Sequence, residues 1–298
     1  DAVCFDTEDG FKAVRRENYA KRFEAYLIGH PGVNVFGIDV MRFPRKFPTP
    51  SESELYRNEI GFYKLRDNPG EYGFVLEKYF DRADIPKLLE IPETYRGING
   101  VVRFSDKRSE HVNIADGHRV TARRYAGGGN ISVYICGICL TFGVGIDDSR
   151  TVPSYLQQMF DERLPEAGVT VHNYGYFLEK VDETDEILKL METLPAKDGD
   201  IIIWNSYDYI LKRAGVPIMS VELLAEKNHD KDYFFDTFHY TPDGCRAVAE
   251  KLFEELTGNR YGIGGASSSE KPRISRERYG LDRTLSRELE EYKDILKN

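Results

Sequence analysis

The chain has 298 residues, of which 41% are hydrophobic and 31% are charged, and its formal net charge is −9. That length permits a large core in one domain or two, and the acidic balance disfavours nucleic acid, whose binding needs clustered Lys and Arg. The longest apolar runs have only strand length, so no membrane span is expected. The chain starts without signal-peptide features and has only four cysteines, so a cytoplasmic location with reduced thiols is expected.

Residues 1–128 carry mixed signals that predict a smaller α+β domain. Apolar residues at helical spacing and alternating apolar residues give these expectations. The expected elements are helices over 17–27, 53–67 and 74–91, a strand over 33–43, and a hairpin or meander over 101–125 with turns at 105–107 and 115–117. None of them indicates a chemistry, so the role of this region stays open.

From residue 131 to 257 strands and helices alternate, after a Gly-rich stretch at 125–130 that is typical of a hinge. The expected strands are 132–136, 169–175, 200–205 and 216–221, and the expected helices are 151–164, 183–194, 207–215 and 241–256. Thr151 and Thr241 are the expected N-caps of two of these helices. The predicted fold class is therefore α/β, a three-layer doubly wound parallel sheet preceded by the α+β domain.

Residues 258–298 differ again in composition. A segment typical of a linker leads to a charged helix over 284–298, with its apolar residues on one stripe. A helix this polar needs a partner surface. We expect a further domain of the same polypeptide as that partner.

Two segments at the expected carboxyl ends of the strands carry chemistry. Cys139 stands two residues past Gly137, which ends a strand, and Asp236 stands three residues before His239. Asp-x-x-His lets the carboxylate hold one imidazole nitrogen while the other faces the strand ends, as in the base and orienter of a triad. Cys139 has three interpretations: a nucleophile, one half of a C-x-x-C redox pair with Cys136, or an inert core thiol.

These segments resemble two sequence blocks of the SGNH/GDSL hydrolases. That family has Gly-Asp-Ser-x-Thr-x-Gly after its first strand and Asp-x-x-His before its last helix. This chain has Gly-Ile-Cys-Leu-Thr-Phe-Gly at 137–143 and Asp-Thr-Phe-His at 236–239. The resemblance covers residues 131–257 and implies an SGNH hydrolase-like, flavodoxin-like sheet. It departs from the family at the nucleophile, where Cys139 replaces Ser, and at Ile138, which replaces Asp.

The resemblance implies acyl-ester chemistry that needs no metal and no organic cofactor. Cys139 would attack the acyl carbonyl, His239 would act as general base and then acid, and Asp236 would orient His239. The amides of Cys139 and Gly175, with the Asn205 side chain, would stabilise the oxyanion. A thioester passes its acyl group to an amine, thiol or alcohol as well as to water, so an acyltransferase is as compatible as a hydrolase.

The expected partner is a small-molecule or carrier-bound acyl substrate, with no nucleic acid and no membrane. A catalytically silent SGNH-like binding or scaffolding domain of a larger multidomain protein is the first alternative. Ile138 and the weak match to the family's third block at 204–208 favour it. A thiol redox protein is the second alternative. Hydrogen-bond reach between Cys139 and His239 beside an open pocket would support the enzyme, whereas a sulfur packed under Ile138 and Phe142 would support the scaffold.

Overall fold

A computed structural model gives the fold around a five-stranded parallel sheet flanked by helices, which is compatible with the predicted doubly wound α/β class. It describes residues 8–41, 50–97, 100–123, 130–177, 183–205, 210–211, 214–222, 231–258 and 263. Three expectations fall wholly or mostly outside the described residues: the hinge at 125–130, the helix at 207–215, and the linker and helix after 258.

The described elements follow one another along the chain. The strands are β1 Asn34–Met41, β2 Thr94–Arg96, β3 Val102–Phe104, β4 Ile114–Ala115, β5 His118–Arg119, β6 Ile131–Gly137, β7 Val169–Gly175, β8 Ile201–Asn205 and β9 Ile218–Glu222. The helices are α1 Glu8–Gly29, α2 Pro50–Asn58, α3 Phe62–Asp67, α4 Pro69–Tyr72, α5 Ile85–Leu88, α6 Cys139–Phe142, α7 Val152–Arg163, α8 Glu183–Thr193 and α9 Pro242–Thr257. None of these described helices combines the length and apolarity that crossing a bilayer requires.

The sheet draws its strands from both sides of the expected domain boundary. Its order is β7-β6-β8-β1-β9, with every neighbouring pair parallel. β1 lies within residues 1–128, yet it pairs with β8 on one side and β9 on the other. Val35, Phe36 and Ile38 of β1 are each 1% exposed, as expected of a parallel strand covered on both faces. The segment before residue 128 therefore supplies an inner strand of the sheet.

Two expectations for the N-terminal segment have different outcomes. The helix expected over 74–91 was wrong: the chain forms a 3-10 turn at Leu76–Lys78 and the short α5. Pro86 lies in the first turn of α5, and because proline has no N–H a continuous helix cannot pass through it. The turn at 115–117 is confirmed and joins β4 to β5 through Asp116 and Gly117, whose φ angles are 55° and 79°.

The helices lie so that the strand order reverses at β6. The connection from β6 through α7 to β7 runs one way, and the connection from β7 through α8 to β8 runs back across β6. Right-handed crossovers in opposite directions put α7 and α8 on opposite faces of the sheet. α8 packs with α1, and α7 packs with α9. The carboxyl ends of β6 and β8 therefore lie at a topological switch point, where sheets of this class bind ligands.

The predicted N-caps are confirmed. The Thr151 hydroxyl accepts a hydrogen bond from the Ser154 amide at 3.3 Å, and the Thr241 hydroxyl accepts one from the Gly244 amide at 3.1 Å. These caps fix the starts of α7 and α9. α9 begins shortly after His239, so its cap also fixes the segment that carries the imidazole.

Candidate active site

Cys139 is the first residue of α6, directly after the tight turn that follows β6. β6 ends at Gly137, and α6 begins at Cys139 and rests directly on the ends of β6 and β7. Glycines permit this approach: a Cβ at Gly137 would lie 2.3 Å from Thr141 Oγ1, and one at Gly175 would lie 2.0 Å from the Phe142 nitrogen. The Cys139 side chain is largely covered, with 8% of the residue exposed.

The start of α6 has no side-chain cap. Ile138 is at the N-cap position with extended backbone angles, φ −91° and ψ −157°, and only its carbonyl serves the helix. That carbonyl accepts the amides of Thr141 at 2.9 Å and Phe142 at 3.0 Å. The apolar side chain of Ile138 cannot cap the turn, as an Asp or Asn at this position could.

His239 is held by Asp236 as the Asp-x-x-His spacing predicts. Asp236 Oδ2 lies 2.7 Å from His239 Nδ1, and Asp236 Oδ1 accepts the backbone amides of Phe238 and His239 at 2.6 Å each. Asp236 is 1% exposed and His239 is 4% exposed. One carboxylate therefore fixes both the local backbone and the orientation of the ring.

Three phenyl rings enclose the imidazole. Phe235 stacks on it with centroids 5.7 Å apart, and Phe238 and Phe62 approach edge-on at 5.4 and 5.3 Å. Phe62 is the first residue of α3 and thus comes from the N-terminal segment. The Thr237 amide also donates to the Ile60 carbonyl at 2.9 Å. The segment of unknown role therefore forms part of the wall around His239.

The environment of His239 favours its charged form. Burial disfavours the imidazolium, but the charge of Asp236 and the hydrogen bond to it outweigh burial, and the nearby Cys139 thiol adds to them, so the pKa of His239 is raised to about 10. Nε2 is buried and has no aligned hydrogen bond to any described residue. Because Asp236 occupies Nδ1, Nε2 is the nitrogen left for the neighbouring thiol.

The expected oxyanion donors have different positions. The Gly175 amide donates to Asn173 Oδ1 at 2.9 Å, so an oxyanion would have to compete with that oxygen for it. Asn205 ends β8 opposite Gly137, and its Nδ2 is buried without a hydrogen-bond partner among the described residues. As the first residue of α6, Cys139 carries an amide that has no acceptor within the helix. The Cys139 amide and the Asn205 side chain stay predicted donors.

Sequence reasoning missed Arg119, which lies against the carboxyl end of α6. Its guanidinium donates to the carbonyl oxygens of Phe142, Gly143 and Ile146, and its Nε bonds Asp148 Oδ1 at 2.9 Å. No local signal marks Arg119, because it is one of several arginines in a short hairpin segment whose partners lie 23 to 29 residues further along the chain.

Cys136 is poorly placed to be a redox partner of Cys139. Both are free thiols, and Cys136 lies within β6 with no exposed surface. Burial raises the pKa of the Cys136 thiol, which disfavours the thiolate that disulfide exchange requires. Cys245 is equally buried, in agreement with an inert core thiol. Cys4 lies outside the described residues.

A cleft that the described residues form lies away from this site. It has a volume of about 710 Å³ and is lined by the acidic groups Glu77, Asp81, Asp84, Glu110, Asp147 and Asp148, with other polar side chains. Neither Cys139 nor His239 is among the described residues that line it. In the described part of the chain no cluster of three or more His, Cys, Asp or Glu side chains could hold a metal ion.

Comparison with known proteins assigns no family. No family model matches the chain, and no curated protein matches it. A solved crystal structure is similar over 42% of this chain and 95% of its own length, with 14% identity and a TM-score of 0.29. A likeness that low carries no argument about function, so the resemblance to SGNH hydrolases stays a prediction from the sequence blocks.

Proposed function

We propose that this protein transfers acyl groups through a thioester on Cys139, as an acyl-ester hydrolase or an acyltransferase. One observation carries the proposal: Asp236 holds Nδ1 of a buried histidine whose Nε2 is left without an aligned partner beside the Cys139 thiol. Hydrogen bonds of this kind are often poorly aligned before substrate binds.

Each group has a stated part in the reaction. The Cys139 thiolate attacks the acyl carbonyl, a C–S bond forms, and the bond to the leaving alcohol breaks as the His239 imidazolium protonates that oxygen. Water, an amine, a thiol or an alcohol then attacks the thioester while neutral His239 takes its proton. Collapse of this second intermediate breaks the C–S bond and restores the thiolate. Asp236 keeps the tautomer and orientation of His239 throughout.

The oxyanion formed in both steps would be stabilised by the Asn205 side chain and the Cys139 amide. A buried amide group without a partner costs free energy in the folded protein, and such a donor is suited to a charge that develops only in the transition state. Thr141 Oγ1 is a further buried atom at this turn that has no hydrogen-bond partner among the described residues. It lies against Gly137, the last residue of β6.

A direct test is the trapping of the acyl-enzyme. The protein is incubated with p-nitrophenyl acetate, and peptide mass spectrometry locates the acetyl group. We expect one acetyl group on Cys139 in the wild type and none in Cys139→Ala, with strongly slowed labelling in His239→Ala. Adding an alcohol then separates the two activities, because a transferase passes the acetyl group to the alcohol in preference to water. Labelling that ignores both substitutions would contradict the proposal.

The catalytically silent binding domain remains the second candidate, and one observation favours it. Cys139 and His239 are only 8% and 4% exposed, so the described residues leave little room for a substrate at the thiol. This candidate predicts no acetyl transfer to Cys139 at any pH. The expectations of a cytoplasmic location and of a carrier-bound or small-molecule substrate stay predictions.

A further inference from the structure

The guanidinium of Arg119 lies wholly inside the protein, and its hydrogen bonds go to residues 142–148, which follow Cys139. The side chain has no exposed surface. Its Nη1 donates to the carbonyls of Phe142, at 2.9 Å, and Gly143, and its Nη2 donates to that of Ile146. A buried charge is costly unless it is paired and hydrogen-bonded, and here Asp148 pairs it. The buried Arg119 cation therefore stabilises one segment, the turn that follows Cys139.

Asp148 is itself fixed by the N-terminal segment. Its Oδ2 accepts the backbone and side-chain amides of Asn113 at 2.9 and 2.7 Å, and its own amide donates to the His111 carbonyl at 2.8 Å. Arg119 thus bonds to a carboxylate that cannot move freely. The hairpin region and the Cys139 turn form one hydrogen-bonded unit.

α6 needs such a support because its own sequence supplies little. It has four residues, and Ile138 gives no side-chain cap at its start. A single turn of helix leaves its last carbonyls without intrahelical partners. Arg119 donates to the carbonyls of Phe142 and Gly143, beside the longer bonds that these oxygens accept from Asn173 Nδ2 at 3.4 Å and from the Ile146 amide at 3.2 Å. A cation at a helix carboxyl end also complements the helix dipole. Arg119 therefore holds the carboxyl end of α6, whereas a capping Asp would act at its amino end.

We propose that Arg119 is a positioning residue that holds the Cys139 turn, so that the thiol stays in register with His239 although Ile138 cannot cap α6. This inference rests on the proposed function. The hydrogen bonds of Arg119 go neither to the thiol nor to the imidazole. Arg119 acts through the backbone of residues 142–146. The planar fork of arginine reaches the Phe142, Gly143 and Ile146 carbonyls and the Asp148 carboxylate together, which a lysine ammonium cannot do.

The test uses the full chain and iodoacetamide as the probe. The alkylation rate of Cys139 is measured by peptide mass spectrometry, across a pH series that brackets the free-thiol pKa of about 8.5. The wild type, Arg119→Lys and His239→Ala are compared. Cys136 and Cys245 have no exposed surface, so their alkylation in the same sample measures unfolding. Arg22→Lys is the matched control, because Arg22 pairs with Asp185 and Glu192 between α1 and α8.

At pH values below the free-thiol pKa, we expect Arg119→Lys to slow the alkylation of Cys139 about tenfold, because even a small misplacement of a reacting group slows its reaction. The midpoint of its pH profile should move upward while Cys136 and Cys245 stay protected. Arg22→Lys should leave the profile unchanged. A wild-type profile in folded Arg119→Lys would overturn the inference. If Arg119→Lys unfolds, Asp148→Asn replaces it: the same slowed and shifted profile supports the inference, and a wild-type profile overturns it.

His239→Ala separates this inference from the proposed function. If His239→Ala slows alkylation and folded Arg119→Lys does not, the activated Cys-His pair stands and only the positioning role fails. If His239→Ala leaves alkylation unchanged, the proposed function fails whatever Arg119→Lys does. A slowed and shifted profile in Arg119→Lys would then still support its control of the turn.

Discussion

The two halves of the candidate site are built in opposite ways. The histidine half is local: Asp236 bonds the imidazole and two amides within three residues of itself. The cysteine half is assembled from distant segments: α6 has no side-chain cap, and Arg119 supports it from a hairpin in the N-terminal segment. A locally encoded site can be recognised from spacing, whereas a site supported at long range depends on the fold.

The largest expected effect is from Asp236→Asn, which breaks the local half. An amide cannot accept at both positions: if its oxygen keeps the Phe238 and His239 amides, its NH2 group faces His239 Nδ1, and the tautomer and orientation of the imidazole are lost. We expect acetylation of Cys139 to slow by about 10³-fold or more, as in other triads that lose the orienting carboxylate. Quenched labelling with p-nitrophenyl acetate measures it. Asp232→Asn is the control, because Asp232 is a buried carboxylate of the same loop that pairs with Lys78 instead; an equal loss there would contradict the local account.

Gly175→Ala should break the long-range half by moving α6 off the sheet. The new Cβ would lie 2.0 Å from the Phe142 nitrogen and 2.5 Å from its Cα, both backbone atoms. We expect a loss of about 2–4 kcal/mol in the free energy of unfolding and slower alkylation of Cys139 in the protein that remains folded. Urea unfolding followed by circular dichroism measures the first quantity. Gly29→Ala is the control, since a Cβ there meets nothing within 4 Å; equal losses would show that crowding against α6 is not the cause.

The pH dependence of stability tests the histidine half, because it reports the charge of His239. The pKa of His239 is raised to about 10, against an ordinary value of 6.5, after the charge of Asp236 overcomes the effect of burial. The proton bound by the folded state therefore adds stability that is fully present below pH 6.5 and is lost as the pH rises through about 10. We expect the difference in unfolding free energy between wild type and His239→Gln to narrow over that interval. A difference that stays constant with pH would show that the imidazole is neutral in the folded protein.

The smallest expected effect is from Ile138→Asn, which gives α6 the cap that it lacks. A new cap contributes about 1 kcal/mol, and the lost apolar contact of the partly buried Ile138 offsets part of this. The informative quantity is the coupling with Arg119→Lys in a double-mutant cycle of Cys139 alkylation. We expect Arg119→Lys to slow alkylation less in the Ile138→Asn background than in the wild type. Strict additivity would indicate that the two ends of α6 are held independently.

The sequence was most informative where interactions are local. The strand and helix pattern after residue 131, the caps at Thr151 and Thr241 and the Asp236–His239 bond all follow from residues within a few positions of one another. These features were predicted, and the described residues confirm them except for the helix at 207–215, which lies mostly outside those residues. The chemical roles of Cys139 and Asn205 stay predictions, because geometry alone does not establish a reaction.

Long-range features could not be predicted in the same way. An alternating pattern indicated the strand β1 but not its neighbours, because partners in a parallel sheet can be more than 150 residues apart. Phe62 lies over His239 at a similar distance along the chain. The resemblance implied the Gly175 amide as an oxyanion donor, and the folded chain also gives that amide an acceptor in the Asn173 side chain two residues earlier. Such choices depend on side-chain directions that only the folded chain fixes.

The central claim is that Cys139 and His239 act as one activated pair. The most direct measurement is the rate of Cys139 alkylation by iodoacetamide as a function of pH, in the wild type and in His239→Ala. The account predicts rapid alkylation well below the free-thiol pKa of about 8.5 and a clear slowing in the variant, with Cys136 and Cys245 protected in both. Slow alkylation that is indifferent to His239 in folded protein would contradict the account and leave the domain as a binding module.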